Sequence, residues 1–301
     1  MNRVALLVAW MAVGLLLCSC DAQARTLAQI RADGTLRIGV NPNFPAHSFY
    51  GRHNEFEGFD IDIGNRLAKV LGVKAEFVPT ETALRVPFLS ADRIDISLGA
   101  LTRTPEREKL VDFTIPLHTE AMGVLTTEKL DIKSWRDLDK PSITLVNMRG
   151  NSTVPFIQKE LRHARLLLVD SNADTVRTIA QGRADAMVEN VAFFVIFTKA
   201  YPHVRWRVLS EPIQVAYCGV GVSKGNTELR HQLNTALAEM HRSGFINYEW
   251  KKWYSWPMQG TIDVDAELAR AAATPQPTAR EKTGHASQPG SGGKDGVIGS
   301  H

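Results

Sequence analysis

Short strand-like runs alternate with helix-like segments along most of the chain, and this alternation restricts the possible fold more than any other feature. Residues 36–40 alternate apolar and polar side chains, as a strand with one buried face does. Residues 58–72 place apolar side chains at helical spacing and end in Gly72, a helix stop signal. Strands that alternate with helices predict α/β lobes, in which helices pack against sheets.

A second series of the same kind begins near Met122. Its strands are expected at residues 143–146, 166–169 and 184–188, with a helix over 173–181. The chain then runs through an apolar segment, residues 213–222, into periodic helices at 227–243 and 245–256. We expect these last helices to pack on the first lobe, so the second lobe is inserted in the first. Lobe 1 is predicted to cover residues 25–120 and 216–257, and lobe 2 residues 121–215.

Both ends of the chain have compositions unlike the rest. Residues 1–24 carry Arg3, a long apolar run and then small residues, the layout of a secretory signal peptide, so we expect a periplasmic protein. Ordinary cleavage near residues 22–24 is favoured over lipid attachment at Cys20, because Cys18 is unusual inside a lipoprotein signal. Residues 258–301 are rich in Ala, Pro, Gly, Ser and Thr, which predicts a disordered tail.

Charge and cysteine content exclude several classes of protein. The formal net charge of +3 is too small to indicate a nucleic-acid or membrane-surface partner. Two of the three cysteines lie in the signal segment, so no disulfide framework is expected, and Cys218 is interpreted as a core residue. No zinc-ligand spacing, phosphate-binding loop or dinucleotide fingerprint is present, so we expect neither a metal nor a cofactor.

Residues 99–114 form the candidate binding segment. They follow a strand expected at residues 94–98, and Thr104 with Pro105 predicts the start of a short helix. The turn from Ala100 to Thr102 would then share a space with the Arg107 guanidinium, an arrangement that could hold a carboxylate. The alternative is that Arg107 is a solvated surface residue.

Four motifs in this order resemble the family 3 bacterial solute-binding proteins, the polar-amino-acid receptors of ABC importers. They are residues 58–62 (Gly-Phe-Asp-Ile-Asp), 85–89 with 94–95, 100–107 (Ala-x-Thr-x-Thr-Pro-Glu-Arg) and 182–186. The resemblance covers roughly residues 27–256 and implies the type II periplasmic binding protein fold. It also implies a two-stranded hinge, a ligand enclosed between the lobes, a monomer and no catalysis.

The resemblance assigns roles to several polar residues. Arg107 would hold the ligand α-carboxylate, and Thr102 would add a hydroxyl. Arg85 would reach an acidic ligand side chain, or else lie on the exposed face of a short helix. In the second lobe the candidates are Asn151, Ser152 and Thr153 at a helix N-terminus, whose alternative role is an ordinary helix cap.

Departures from the family pattern bear on the ligand. The position that often carries an Asp for the ligand ammonium is Asn190, with Glu189 beside it. Either Glu189 pairs with the ammonium, or the ligand has none, because an unpaired ammonium in a dry cleft is costly. Arg85 and Arg107, with Arg149 as a possible third, favour an anionic ligand. Phe44 is either a pocket wall or a core cap.

The sequence therefore predicts a binding protein, not an enzyme. Hinge closure would enclose a small carboxylate-bearing ligand, such as an acidic or polar amino acid, for delivery to an ABC permease. One alternative is a cyclohexadienyl dehydratase of the same fold, with Glu189 as proton donor and with Phe193 and Phe194 where a further acid would be wanted. Another is a sensory module, which would need a separate receptor because no output domain is recognisable.

Overall fold

The computed structural model describes residues 24–209, 212–254 and 258–273. These ranges leave out residues 1–23 of the expected signal peptide and the tail beyond residue 273. In the part of the chain that is described, no helix combines the length and apolar character needed to cross a bilayer.

The elements follow the alternation that the sequence predicts. The strands are β1 (Thr35–Val40), β2 (Asn43–Phe44), β3 (Ser48–Tyr50), β4 (Phe56–Glu57), β5 (Lys74–Pro79), β6 (Ile96–Ser97), β7 (Val111–Thr127), β8 (Thr144–Met148), β9 (Arg165–Val169), β10 (Ala186–Asn190), β11 (Trp206–Val208) and β12 (Gln214–Ser223). The helices are α1 (Leu27–Asp33), α2 (Phe59–Leu71), α3 (Arg85–Ser90), α4 (Pro105–Leu110), α5 (Val154–Glu160), α6 (Asn172–Ala180), α7 (Val191–Phe197), α8 (Thr227–Arg242), α9 (Phe245–Trp253) and α10 (Val264–Ala273).

Two long strands connect the lobes. The strand order is β5-β1-β6-β12-β7-β10-β8-β9, and β7 pairs antiparallel with β12 from Val111↔Ser223 to Met122↔Gln214. The C-terminal part of β7 also pairs with β10 in the second lobe, while β12 pairs with β6 in the first. Strands β7 and β12 therefore belong to both lobes, and the predicted two-lobed α/β fold with an inserted second lobe is confirmed.

Each lobe has its own apolar core. In the first lobe, α8 and α9 bury Leu233, Leu237 and Trp250 against the same cluster as Ile63 and Leu67 of α2. Helix α2 begins after Gly58 and ends at Gly72, which has a left-handed φ of 77°. The second lobe packs a separate cluster around β7, β8 and β10. The predicted packing of the last two helices on the first lobe is therefore found.

The structure differs from the expected tail over residues 258–273. Helix α10 packs Val264, Leu268 and Ala271 against the first-lobe core, and Glu267 pairs with Arg103 at 2.8 Å. The prediction of disorder from residue 258 is wrong for this part of the chain. It rested on the average composition of 258–301, which hid a ten-residue segment with apolar side chains at helical spacing.

A buried carboxylate joins the start of the first lobe to β1. The Asp95 side chain is fully buried and accepts hydrogen bonds from Arg25 Nε at 3.0 Å and Arg37 Nη2 at 2.8 Å. It also accepts from the backbone amide of Arg37 at 2.7 Å. Arg25 also pairs with Asp33 and Arg37 with Asp92, each at 2.7 Å, so removing Asp95 would take the shared, fully buried carboxylate from both arginines and leave each with one more exposed partner. Breaking a buried pair in this way is destabilising.

We predict that Asp95→Ala lowers the free energy of unfolding by about 3 kcal/mol, the lower end of the range for breaking a buried ion pair, because Arg25 keeps Asp33, Arg37 keeps Asp92 and both arginines keep some solvent contact. Urea unfolding measures this loss. The control is Asp170→Ala, which removes the exposed partner of Arg149 and should change stability by no more than about 0.5 kcal/mol. Equal losses in the two variants would contradict a structural role for the Asp95 network.

Candidate functional site

A narrow cleft lies between the lobes, beside the hinge. The residues that line it are Phe44, Thr82, Arg85, Gly99, Ala100 and Thr102 from the first lobe, Glu120 from β7, and Met148, Asn151, Ser152, Asn172 and Glu189 from the second lobe. A second, wider cavity shares Thr102, Glu120, Ser152 and Glu189 with it. The two cavities are therefore parts of one interlobe space.

A strained turn brings the first-lobe hydroxyl into this space. Gly99 and Ala100 both have left-handed backbone angles, with φ of 80° and 52°. The conformation costs Ala100 about 1–2 kcal/mol, and Asp60 supports the turn by accepting the Gly99 amide hydrogen bond at 3.0 Å. The Thr102 hydroxyl then lies 3.0 Å from Ser152 Oγ across the cleft and 3.3 Å from Glu120 Oε2. Such strain is typical of sites where backbone position matters for binding.

Arg85 lies in the cleft wall and not on an exposed helix face. Its side chain is buried and donates to the carbonyl oxygens of Thr82, at 3.1 Å, and Gly99. Burial, with a contribution from the nearby Arg107 charge, lowers the pKa of Arg85 to about 9. None of the ion pairs in the described residues neutralises Arg85, so its charge is available to an anion.

Arg107 joins the two lobes at the edge of the cleft. Its backbone amide donates to Thr104, which caps α4 as predicted, and its guanidinium donates to Thr102 O at 2.8 Å and to Gly150 O at 3.0 Å. Burial lowers the pKa of this half-buried group. A guanidinium has five N–H donors, so these two carbonyl acceptors use only part of its hydrogen-bonding capacity. Arg107 is therefore not a solvated surface residue, although it stands beside the residues that line the cleft.

Two carboxyl groups face these arginines. Glu189 accepts hydrogen bonds from the Asn190 amide, at 2.8 Å, and from Asn151 Nδ2. Burial raises the pKa of Glu189 from 4.5 to about 8, and the Glu120 charge acts in the same direction. Glu120 is half-buried on β7, and no ion pair among the described residues includes it. The cleft thus holds an acid that is mostly neutral at pH 7 beside a second carboxyl group.

The polar groups of the Asn151–Thr153 turn make contacts both within the second lobe and across the cleft. Thr153 directs its hydroxyl to Val188 O, at 2.9 Å, within the second lobe. Asn151 accepts from the Thr153 amide and donates to Glu189, so it orients that carboxyl group. Of the three candidate residues, Ser152 is the one whose hydroxyl contacts the other lobe.

Asn190 caps a helix. Its side-chain oxygen accepts from the Ala192 amide at 2.9 Å at the start of α7, and the residue is buried. Phe44 combines both of its expected roles, since it lines the cleft and packs edge-on against Phe193 with ring centroids 6.1 Å apart. Phe193 and Phe194 lie in the second-lobe core and leave the surroundings of Glu189 free.

The structure excludes Arg149 from the cleft. Its side chain is 57% exposed and pairs with Asp170 at 3.0 Å on the surface. The suggestion of a third cleft arginine is therefore wrong, because the side chain points away from the turn formed by the next residues.

Sequence reasoning missed Glu120 and Asn172. Glu120 could have been noticed as the one Asp, Glu, Lys or Arg among residues 113–126. Asn172 is buried at the start of α6, and its Nδ2 has no hydrogen-bond partner in the described part of the chain. No pattern in the sequence marked Asn172, whose place in the cleft depends on how the lobes meet.

Comparison with known proteins agrees with this architecture. A model of bacterial extracellular solute-binding proteins, family 3, matches residues 36–255. A glutamine-binding protein of a Bacillus subtilis (strain 168) ABC transporter is 28% identical over 242 residues, covering 78% of this chain and 86% of the relative. A Pseudomonas aeruginosa cyclohexadienyl dehydratase is 25% identical over 243 residues, covering 79% and 90%. Among solved structures, an ancestral amino-acid-binding protein, a precursor of cyclohexadienyl dehydratase, has a TM-score of 0.70 at 33% identity, covering 76% of this chain and 99% of that one.

The raised pKa of Glu189 gives a testable pH dependence of stability. Glu189 loses its proton near pH 4.5 in the unfolded state but only near pH 8 in the folded state. The folded state is therefore at its most stable, with respect to this group, below about pH 4.5, and it loses that stability as pH rises toward 8. We expect the free energy of unfolding to fall by up to about 1.4 kcal/mol per pH unit in this window, relative to Glu189→Gln, which cannot ionise.

Urea unfolding of both proteins at several pH values measures the difference. Glu160→Gln, a change on the surface, serves as the control and should keep the wild-type profile. If wild type and Glu189→Gln showed parallel profiles, Glu189 would already be ionised in the folded protein.

Proposed function

The chain belongs to the bacterial extracellular solute-binding proteins, family 3, and on this basis we propose that it binds an acidic or polar amino acid between its lobes and delivers it to an ABC permease. The observation that carries this proposal is one interlobe cleft that is lined by Arg85, Glu120 and Glu189 and has Arg107 at its edge, where Arg107 interacts electrostatically with both carboxyl groups. This charge pattern complements a molecule with separate negative and positive ends.

The carboxylate end of the ligand is assigned to Arg107. The guanidinium now donates to Gly150 O across the lobes at 3.0 Å, and an entering carboxylate would replace this neutral oxygen with a charged acceptor. Charge-assisted hydrogen bonds are roughly twice as strong as neutral ones. The hydroxyls of Thr102 and Ser152, one from each lobe, would complete the carboxylate contacts.

The ammonium end is assigned to Glu120. Asn190 is used as a helix cap, and Glu189 is mostly neutral near pH 7 because of its raised pKa. Glu120 lies beside both and is paired with no cation among the described residues. A ligand ammonium would supply that cation, and Glu189 would accept one of its hydrogen bonds.

The ligand side chain is assigned to the region of Arg85, Asn172 and Phe44. Arg85 brings an unneutralised charge, Asn172 brings an unpaired amide donor, and Phe44 gives an apolar wall. Burying unsatisfied donors is costly, so a ligand with a carboxylate or amide side chain would be favoured over an apolar one. The same groups disfavour a basic side chain.

Hinge motion along β7 and β12 would admit and enclose the ligand. The lobes touch through Thr102 with Ser152, through Arg107 with Gly150 and through Phe44 with Phe193. Opening therefore breaks polar contacts and also separates an aromatic pair. A ligand that bridges the same groups would shift the population toward the closed form. Export by the N-terminal signal, a periplasmic location and a monomeric state belong to this proposal, as does the permease partner.

We predict that a suitable ligand raises the thermal midpoint and stabilises the protein by about 2.7 kcal/mol at a hundredfold excess over its dissociation constant. A thermal-shift screen of amino acids, dicarboxylates and keto acids tests this. Preference for an amino acid over its keto acid would support the assigned ammonium site. A screen with no response in any class would overturn the proposal.

With the best ligand, Arg107→Ala should cost about 2–5 kcal/mol of binding free energy, roughly thirty- to several-thousand-fold in affinity. Calorimetry gives the affinities. The matched control is Arg149→Ala, which removes an arginine outside the cleft and should bind as wild type does. A loss under about fivefold for Arg107→Ala would mean that Arg107 does not hold the carboxylate.

A dehydratase is the second candidate, and the state of Glu189 favours it. An acid with a pKa of about 8, buried in a cleft with two arginines, is protonated at neutral pH and could protonate a departing hydroxyl group. The aromatic residues that appeared to oppose this role, Phe193 and Phe194, are in the second-lobe core, and Glu120 supplies the further acidic residue.

The enzyme proposal predicts turnover of prephenate or arogenate by the purified protein. Glu189→Gln should lower the rate by about 10²–10⁴-fold, the usual contribution of a general acid, while substrate binding is largely kept. Glu160→Gln is the matched control. Binding of these compounds without turnover would leave the chain a receptor, and turnover insensitive to Glu189→Gln would reject this residue as the acid.

A further inference from the structure

Two buried histidines lie next to the cleft carboxylate. His47 is in the turn between β2 and β3, while His118 and Glu120 are two residues apart on β7 and so point to the same side of that strand. The donor atoms of these three residues all lie within 4.8 Å of one another. The hinge and a first-lobe turn thereby bring two imidazoles and a carboxylate together.

His47 is poorly explained as a packing residue. Both of its ring nitrogens are buried and have no hydrogen-bond partner among the described residues. Leaving such a group unsatisfied costs about 1–3 kcal/mol. The surrounding rings of Phe44, Trp250 and Tyr254 lie with centroids 4.7–6.2 Å from the His47 ring, and a phenylalanine could pack there without this cost.

We propose that His47, His118 and Glu120 bind one divalent transition-metal ion of the zinc class. Two imidazoles and one carboxylate form a common zinc ligand set that leaves a fourth position open. Ligand atoms in tetrahedral positions at about 2.1 Å from zinc are about 3.4 Å apart. The donor atoms here are at most 4.8 Å apart, so the farthest pair needs to approach by at most about 1.4 Å. Glu120 is the half-buried member of the set, so its side chain can rotate toward the two imidazoles.

The neighbouring groups suit such a site. Asp60 Oδ2 lies 3.5 Å from His47 Nδ1, and Thr119 O lies 3.4 Å from His118 Nδ1. The Thr119 carbonyl favours the His118 tautomer with hydrogen on Nδ1, and the Asp60 carboxylate, although it makes no hydrogen bond to His47, favours the same tautomer of that ring by its charge. Nε2 of each ring is then the metal ligand. The Thr102 hydroxyl similarly orients Glu120 at 3.3 Å.

The site would compete with the ligand ammonium for Glu120. A metal ion that uses this carboxylate removes the counter-charge assigned above to the amino acid, so metal should weaken amino-acid binding. This coupling rests on the proposed function, whereas metal binding itself does not.

Calorimetric titration of untagged mature protein with zinc chloride, without any amino acid, tests the site. We expect one saturable site, and Co²⁺ should give the visible absorption of tetrahedral coordination. His47→Phe and His118→Phe should each weaken zinc binding by more than about a hundredfold, since even indirect partners of a metal are worth up to that factor. The control is His163→Phe, which alters an exposed histidine paired with Asp139 and should leave the affinity unchanged.

Circular dichroism and thermal midpoints establish that the variants are folded, and phenylalanine keeps the aromatic packing. Absence of saturable zinc binding, or equal affinity in wild type, His47→Phe and His118→Phe, would overturn the site. If a ligand is found, zinc should raise its apparent dissociation constant in wild type but not in His47→Phe. An equal effect in both would reject the competition at Glu120.

Discussion

The long antiparallel pairing of β7 with β12 is the constraint on which the rest of the molecule depends. Strand β7 runs for 17 residues and pairs with strands of both lobes. Its register therefore fixes where the first-lobe turn at Thr102 meets the second-lobe turn at Ser152. Because side chains alternate along a strand, the same register also sends His118 and Glu120 to one side. A one-residue slip would move both to the other face.

Burial disfavours the charged forms of several groups in and beside the interlobe space. Burial lowers the pKa values of Arg85 and Arg107 and raises that of Glu189, so each group is less stable in its charged form than it would be in water. Carbonyl oxygens and amides satisfy these groups only in part. In the proposed function, a ligand with complementary charges would offset part of this cost.

The sequence predicted features that depend on neighbouring residues better than features that depend on residues far apart in the chain. The Thr104 cap, the helix after Gly58 and the two-lobed order rest on neighbouring residues, and the structure contains all three. Glu120 and His47 were missed because their surroundings come from segments far apart in the chain. Arg149 was misplaced for the same reason, since sequence proximity to Ser152 does not fix the direction of its side chain.

The position of negative charge distinguishes this cleft from the family pattern. Where an Asp is often found, Asn190 directs its oxygen to a helix amide, while the carboxylate of Glu120 comes from the hinge strand. A hinge residue moves little relative to either lobe during closure, so an ammonium held there would be positioned before the lobes meet. Closure would then be driven by the carboxylate end, because Arg107 and the pair of Thr102 with Ser152 are the groups that cross between lobes. The two ends of a bound amino acid would thus serve different purposes, with one anchoring the ligand at the hinge and the other joining the lobes.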